Sequence, residues 1–111
     1  MEERIKAWLS DIEQAIKEIE EFLPEGRNFF EFQKDVKTKR AIERNIEIIG
    51  EAVKRIVDAN PNALISNARN IVDTRNRIIH GYDSVSEEIL WAIVVKDLPN
   101  LKNEIHKLLQ K

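Results

Sequence analysis

Arg75 and His80 are the residues of this chain best suited to phosphoryl chemistry. An arginine fork can hold a phosphate through two parallel hydrogen bonds, and histidine is the side chain that moves protons near neutral pH. Their surroundings sharpen the reading. On a helix turning roughly 100° per residue, Leu64, Ala68, Ile71, Val72, Ile78 and Ile79 form one apolar arc, with Arg75 at its middle. A permanently charged guanidinium cannot be buried there alone. It must meet an acid, a ligand or a second protein surface, or else snorkel out at the end of a bundle. His80 points about 140° away from Arg75 on a straight helix, but as the expected last helical residue its direction can deviate. Asn76, four residues earlier, can hydrogen-bond to it or orient it. Tyr82 projects from the turn that follows. An arginine and a histidine do not by themselves make an enzyme, because a helix-end histidine is as readily a partner of the helix dipole.

Other chemistries are excluded more simply. The chain has no cysteine, so it has no disulfide, thiolate zinc site or cysteine nucleophile. His80 and His106 are far apart, His106 reads as surface, and no acidic cluster has metal-ligand spacing. Neither a glycine-rich phosphate loop nor a nucleophile elbow is present. No metal and no cofactor is expected. The net charge of −2 disfavours a bulk electrostatic nucleic-acid binder. Basic charge nonetheless gathers in two segments, with a net of +3 over residues 32–44 and +2 over 66–80, while residues 1–31 carry −5. Lys37, Lys39, Arg40 and Arg44 in the first segment, and Arg69 and Arg77 in the second, are the candidates for touching an anionic partner. Their ordinary reading is solvated helix faces.

The elements that must position these residues are all helical. The chain has 111 residues, 42% of them hydrophobic and 34% charged, with only three glycines and three prolines to punctuate turns. That favours long solvated helices over many-turned β structure. A first ladder at helical period runs Ile5, Trp8, Leu9, Ile12, Ala15, Ile16, Ile19, Phe22 and Leu23, and Pro24 and Gly26 end it. Phe29, Phe30 and Phe32 form a hydrophobic plug in a short connector. A second ladder, Ile42, Ile46, Ile49, Val53, Ile56 and Val57, is interrupted by Gly50, which a close neighbouring helix would explain. Asn60-Pro61 reads as the cap and first turn of a third helix running to His80, with Gly81 as its left-handed stop. The fourth helix starts at Ser84 or Ser86, where Ser84-Val-Ser-Glu87 fits a capping box. Pro99 either kinks it, or Asp97 caps a separate last helix. The expected architecture is an all-α, antiparallel bundle of four or five helices in one domain, residues 1–111. There is no apolar signal core and no stretch long enough to span a membrane, so a cytoplasmic protein is expected.

The segment Arg75-Asn-Arg-Ile-Ile-His80-Gly-Tyr82 resembles the R-x4-H-x-Y signature of HepT-like proteins of the HEPN superfamily. Glu47-Ile-Ile-Gly50-Glu51-Ala52 and the stretch from Trp91 through Pro99 to Leu101 also resemble that family, so the similarity covers nearly the whole chain. One departure is Asn62-Ala63-Leu64-Ile65, where many relatives carry an aromatic residue after the proline. The resemblance implies a bundle that forms a homodimer, with two motif copies near one cleft, and a metal-independent ribonuclease. Arg75 would bind the scissile phosphate, His80 would act as general base or acid in attack by the ribose 2′-hydroxyl, and Asn76 would support the site. It further implies a toxin with a nucleotidyltransferase antitoxin of the MNT type that can transfer AMP to Tyr82. The modest acidity of the chain favours a small or structured RNA target, such as tRNA, over long non-specific RNA. Two other readings use the same residues. In one, the cleft holds a nucleotide or substrate for a partner nucleotidyltransferase without chemistry. In the other, the chain is a helical interaction domain and Arg75 is an interface salt bridge.

Overall fold

The computed structural model describes residues 2–23, 28–63, 65–81 and 85–110. Among these every regular element is helical: α1 (Glu3–Phe22), α2 (Phe29–Lys34), α3 (Val36–Ala59), α4 (Ala68–His80), α5 (Glu87–Ala92), a π-helical turn (Ile93–Asp97) and α6 (Leu98–Leu109). The all-α bundle expected from the apolar ladders is what forms. Ile5, Leu9, Ile12, Ile16 and Ile19 of α1 and Ile42, Ile46, Ile49, Val53 and Ile56 of α3 are buried in one core with Leu90, Ile93, Leu98, Leu101 and Ile105. α3 is the central helix. α1 packs along it on one side and α4 on another, and α6 lies against α1. Glu13 meets His106 and Glu20 meets Lys102, so α1 and α6 run antiparallel.

Local chemistry sets the helix ends. The Asn28 side chain accepts from Glu31 N–H to start α2, and Asp35 accepts from Thr38 N–H to start α3. Both bonds from Thr38, hydroxyl first, hold the Asp35 carboxyl below its ordinary range. Gly81, at φ 65°, ends α4 as the left-handed stop expected of it. Phe32 is buried against Trp91, 5.4 Å between ring centroids, and Phe29 packs on the same ring, but Phe30 is 73% exposed. The plug therefore uses two of its three phenylalanines. Pro24, Gly26, Leu64 and Ser84, named above as helix breakers, an arc member and a possible cap, lie outside the described residues.

One boundary differs from the sequence reading, and two open alternatives are decided. The third helix does not start at Pro61. Asn60 instead caps the end of α3, its side chain accepts from Asn62 N–H, and its carbonyl accepts from Ala63 N–H. Pro61 is thus the corner of a turn, and the helix begins only at Ala68. Of the two starts the sequence offered for the next helix, Ser86 caps α5, its side chain accepting from Ile89 N–H; the capping box proposed at Ser84 lies outside the described residues. At Pro99 the helical run continues, through a π turn, without breaking. The wider π turn removes the need for the proline's missing N–H and makes room for its ring. Asp97 provides no side-chain cap there. Its two oxygens accept from the side-chain amides of Asn67 and Asn70, both at 2.9 Å. Glu104 similarly accepts from Ser66 Oγ at 2.6 Å. These ties clamp the start of α4 to the π turn and α6. Asp97→Ala should therefore cost about 1–2 kcal/mol and lower Tm by roughly 5–10 °C. An unchanged Tm would mean that water replaces both contacts at no cost.

Candidate active site

Arg75 meets an acid, and Gly50 makes the meeting possible. A methyl group at Gly50 would collide with Arg75 Cβ and stand 2.8 Å from its Cγ and 3.4 Å from the Ile71 carbonyl. Glycine is thus what lets α4 lie close on α3, as the interruption in the second ladder suggested. The Arg75 side chain, 21% exposed, runs through this gap. Its Nη2 donates to Glu51 Oε2 at 2.6 Å and its Nη1 to Asn76 Oδ1 at 2.8 Å. Its Nε is buried and has no acceptor among the described residues. An unpaired donor on a largely buried cation is costly, and such exceptions invite a functional explanation.

Glu51 is the residue that sequence reasoning missed as a functional side chain. The apolar arc left an acid, a ligand, a second protein surface or a snorkelling side chain open at Arg75; the available signal for the acid was a glutamate directly after the glycine of α3. The hydrogen bond from Arg75 is the main cause that holds the Glu51 carboxyl below its ordinary value of 4.5, against an opposing effect of burial. Arg55 also binds it, Nη2 to Oε1 at 2.9 Å. The Arg55–Glu51–Arg75 chain keeps a net charge of +1, so the carboxylate orients Arg75 without cancelling the site's positive charge. A carboxyl whose folded value is depressed contributes stability above its unfolded value and loses that contribution as pH falls through the folded one. The stability difference between the wild-type chain and Glu51→Gln should accordingly be constant near neutral pH and shrink below about pH 4.5. A difference that grows on acidification would contradict the pairing.

The other candidates sit as follows. His80 is the last residue of α4, as expected, and is exposed. Asn76 is turned to Arg75 and not to His80, which makes no side-chain hydrogen bond among the described residues. Arg75 faces α3, whereas Arg69, Asp73, Arg77 and His80 are exposed. Arg75 and His80 are roughly 7.5 Å apart along the helix axis. Tyr82 lies outside the described residues. Lys37, Arg40 and Arg44 recur at helical spacing on α3, all exposed, on the line that continues to Glu51 and Arg55. Arg40 pairs with Glu43 and Arg44 with Glu47, while Lys39 is drawn to Glu87 of α5 at 3.5 Å. Lys37, Arg69 and Arg77 make no ion pair among the described residues.

A groove of about 290 Å³ opens over this line of α3, bounded by Trp8 and Asp11 of α1 and by Ile79 of α4. Ile79, expected on the apolar arc, is in fact 46% exposed. Two other cavities, of about 320 and 330 Å³, lie between α1 and the π turn and α6, and include no residue of α4. No group of three or more His, Cys, Asp or Glu placed to hold a metal ion occurs among the described residues. No helix among them is long and apolar enough to cross a membrane.

Comparison with known proteins decides the family. The model of the family described as "Ribonuclease HepT-like" matches residues 12–108, a span that includes α3, Arg75 and His80. The chain belongs to the HepT-like ribonuclease family. It is 40% identical over 108 residues to the "Probable ribonuclease HepT" of Thermococcus cleftensis, covering 93% of this chain and 94% of that one. It is 35% identical over 107 residues to "Putative RNase MJ0127" of Methanocaldococcus jannaschii, covering 96% of this chain and 88% of that one. No solved structure matches significantly. HepT-like membership carries the general class of activity, a ribonuclease of the HEPN type.

Proposed function

We propose that this chain is the ribonuclease toxin of a type II toxin–antitoxin pair and cleaves RNA, with tRNA the first candidate, without a metal ion. The observation that supports this most is the held Arg75: a HepT-like chain keeps a cation in an apolar interface, oriented by Glu51 and Asn76, one turn and a half before a helix-end histidine. A phosphodiester seated over the end of α4 is reached by Arg75 from the α3 side and by His80 from the outer side. His80 takes the proton of the ribose 2′-hydroxyl, and the 2′-oxygen attacks phosphorus. Arg75 stabilises the charge that develops on the non-bridging oxygens. The bond from phosphorus to the 5′-oxygen breaks and that oxygen takes up a proton. The products end in a 2′,3′-cyclic phosphate and a 5′-hydroxyl. The strand cleaved must be RNA, because DNA lacks the nucleophile.

The partners follow from the family resemblance. Two copies form a homodimer that brings two motifs to one cleft, in the cytoplasm. A nucleotidyltransferase antitoxin of the MNT type transfers AMP to the Tyr82 hydroxyl, with loss of pyrophosphate. The added anion, two residues from His80, repels substrate phosphate and blocks it sterically. Lys37, Arg40 and Arg44 track the RNA backbone toward Arg75, with Arg69 and Arg77 on the exposed face of α4.

Expression without antitoxin tests the reading. The wild-type chain should arrest growth, and Arg75→Ala and His80→Ala should not, while both variants remain folded and dimeric in sedimentation. Full toxicity of either variant would refute the assignment of that residue.

A further inference from the structure

We propose that the groove between Trp8, Asp11 and Ile79 is a subsite for one unpaired nucleobase of the RNA, beside the phosphate held by Arg75. The inference rests on the ribonuclease reading and adds to it where the base goes. Position comes first. Glu51 lines the groove and bonds Arg75 at 2.6 Å, and Ile79 lines it and directly precedes His80. The groove therefore opens beside the Glu51–Arg75 pair, with His80 the next residue of α4 after its Ile79 wall. Its volume, about 290 Å³, is at the small end of ligand sites and suits one nucleoside better than a run of them.

Its chemistry suits a base and not a phosphate. Trp8, Ile48 and Ile79 offer ring and aliphatic surface, and the Arg4 guanidinium lies 5.8 Å from the Trp8 ring centroid. Unstacked bases are held on aromatic rings and guanidinium planes of this kind. The charged lining is Asp11, Glu47 and Glu51 against Arg44 and Arg55, an excess of one negative charge. A track for the phosphate backbone needs the opposite sign. A carboxylate accepts from the N–H groups on a base edge. Glu47 is held by Arg44, and Glu51 by Arg55 and Arg75. Asp11 is exposed and makes no ion pair among the described residues, so it is the carboxylate left to read the edge. The base so selected carries an exocyclic amine: guanine, adenine or cytosine in preference to uracil.

Trp8 itself can report the occupant. The other tryptophan, Trp91, packs on Phe29 and Phe32, and Trp91→Phe leaves Trp8 as the only tryptophan. Short single-stranded 2′-O-methyl oligonucleotides, which lack the attacking hydroxyl, are titrated into this variant. Saturable quenching of Trp8, stronger with amino-bearing bases than with oligouridylate, is the expected result. In cleavage of unmodified RNA, Asp11→Asn should raise KM about tenfold, with the loss in KM rather than kcat. Binding by fluorescence anisotropy with no change in Trp8 emission, together with an unchanged KM for Asp11→Asn, would overturn the subsite while leaving the ribonuclease standing. Emission that changes with protein concentration and not with oligonucleotide would also overturn it, and would assign the groove to a second copy of the chain. Selective quenching in the Trp91→Phe chain, with no RNA cleavage by the wild-type chain, would uphold the subsite and remove the ribonuclease reading.

Discussion

Arg75→Lys is expected to lower the single-turnover rate of RNA cleavage about a hundredfold or more, although it conserves the charge. The reason lies in how the guanidinium is held. Two of its nitrogens are already aimed by Glu51 and Asn76, and the third, Nε, is buried without an acceptor among the described residues. A planar fork placed in this way can turn two parallel donors to a phosphate, whereas an ammonium on a flexible stem offers a point charge. The lysine stem should still pass Gly50 and its charge still reach Glu51, so helix content and dimerisation should survive. A rate close to wild type would mean that charge alone is needed at this position.

Gly50→Ala is expected to have the largest effect on both stability and activity among substitutions that touch no charged group. Two terms oppose each other. Alanine in place of glycine in a helix interior gains about 1 kcal/mol. Against that stands a methyl group driven into Arg75 Cβ, which is tied to the backbone of α4 and cannot swing aside. Overpacking of this kind costs typically 1–3 kcal/mol and sometimes more, so the collision prevails unless α4 moves away. Either response shifts the very atoms that carry the guanidinium, and a displacement of about 1 Å can cost a hundredfold in rate. Thermal denaturation should show a Tm lower by several degrees, and cleavage should fall at least tenfold, about 1.4 kcal/mol in barrier. A Gly50→Ala chain that is more stable than wild type and fully active would contradict the close approach of α3 and α4.

The same two helices show how far the sequence could be read. The ladders of α1 and α3 were legible because each buried isoleucine repeats at helical spacing, and Gly81 and Asn28 act through local backbone chemistry. The placement of Arg75 in an apolar arc correctly demanded a partner. What periodicity could not supply was the identity of that partner, because Glu51 belongs to another helix and its distance to Arg75 depends on how closely the two helices pack. The stretch after Asn60 departs from its expected helix for a related reason. Asn-Pro starts helices and turns alike, and here the Asn60 side chain and carbonyl both close a turn. Asp97 read as a possible cap, but it serves Asn67 and Asn70, which are distant in sequence and close only after folding. Orientation around α4 was partly legible. The wheel put His80 and Arg75 on different sides, and the structure keeps them so, Arg75 held on α3 and His80 exposed.

Purified chain carrying unmodified Tyr82, incubated with total tRNA in EDTA beside its His80→Ala variant, provides the most direct test. Cleavage by the wild-type chain to fragments ending in 2′,3′-cyclic phosphate, and none by the variant, is the predicted result. Equal cleavage by both proteins, or fragments ending in a 3′-hydroxyl, would contradict 2′-hydroxyl attack assisted by His80.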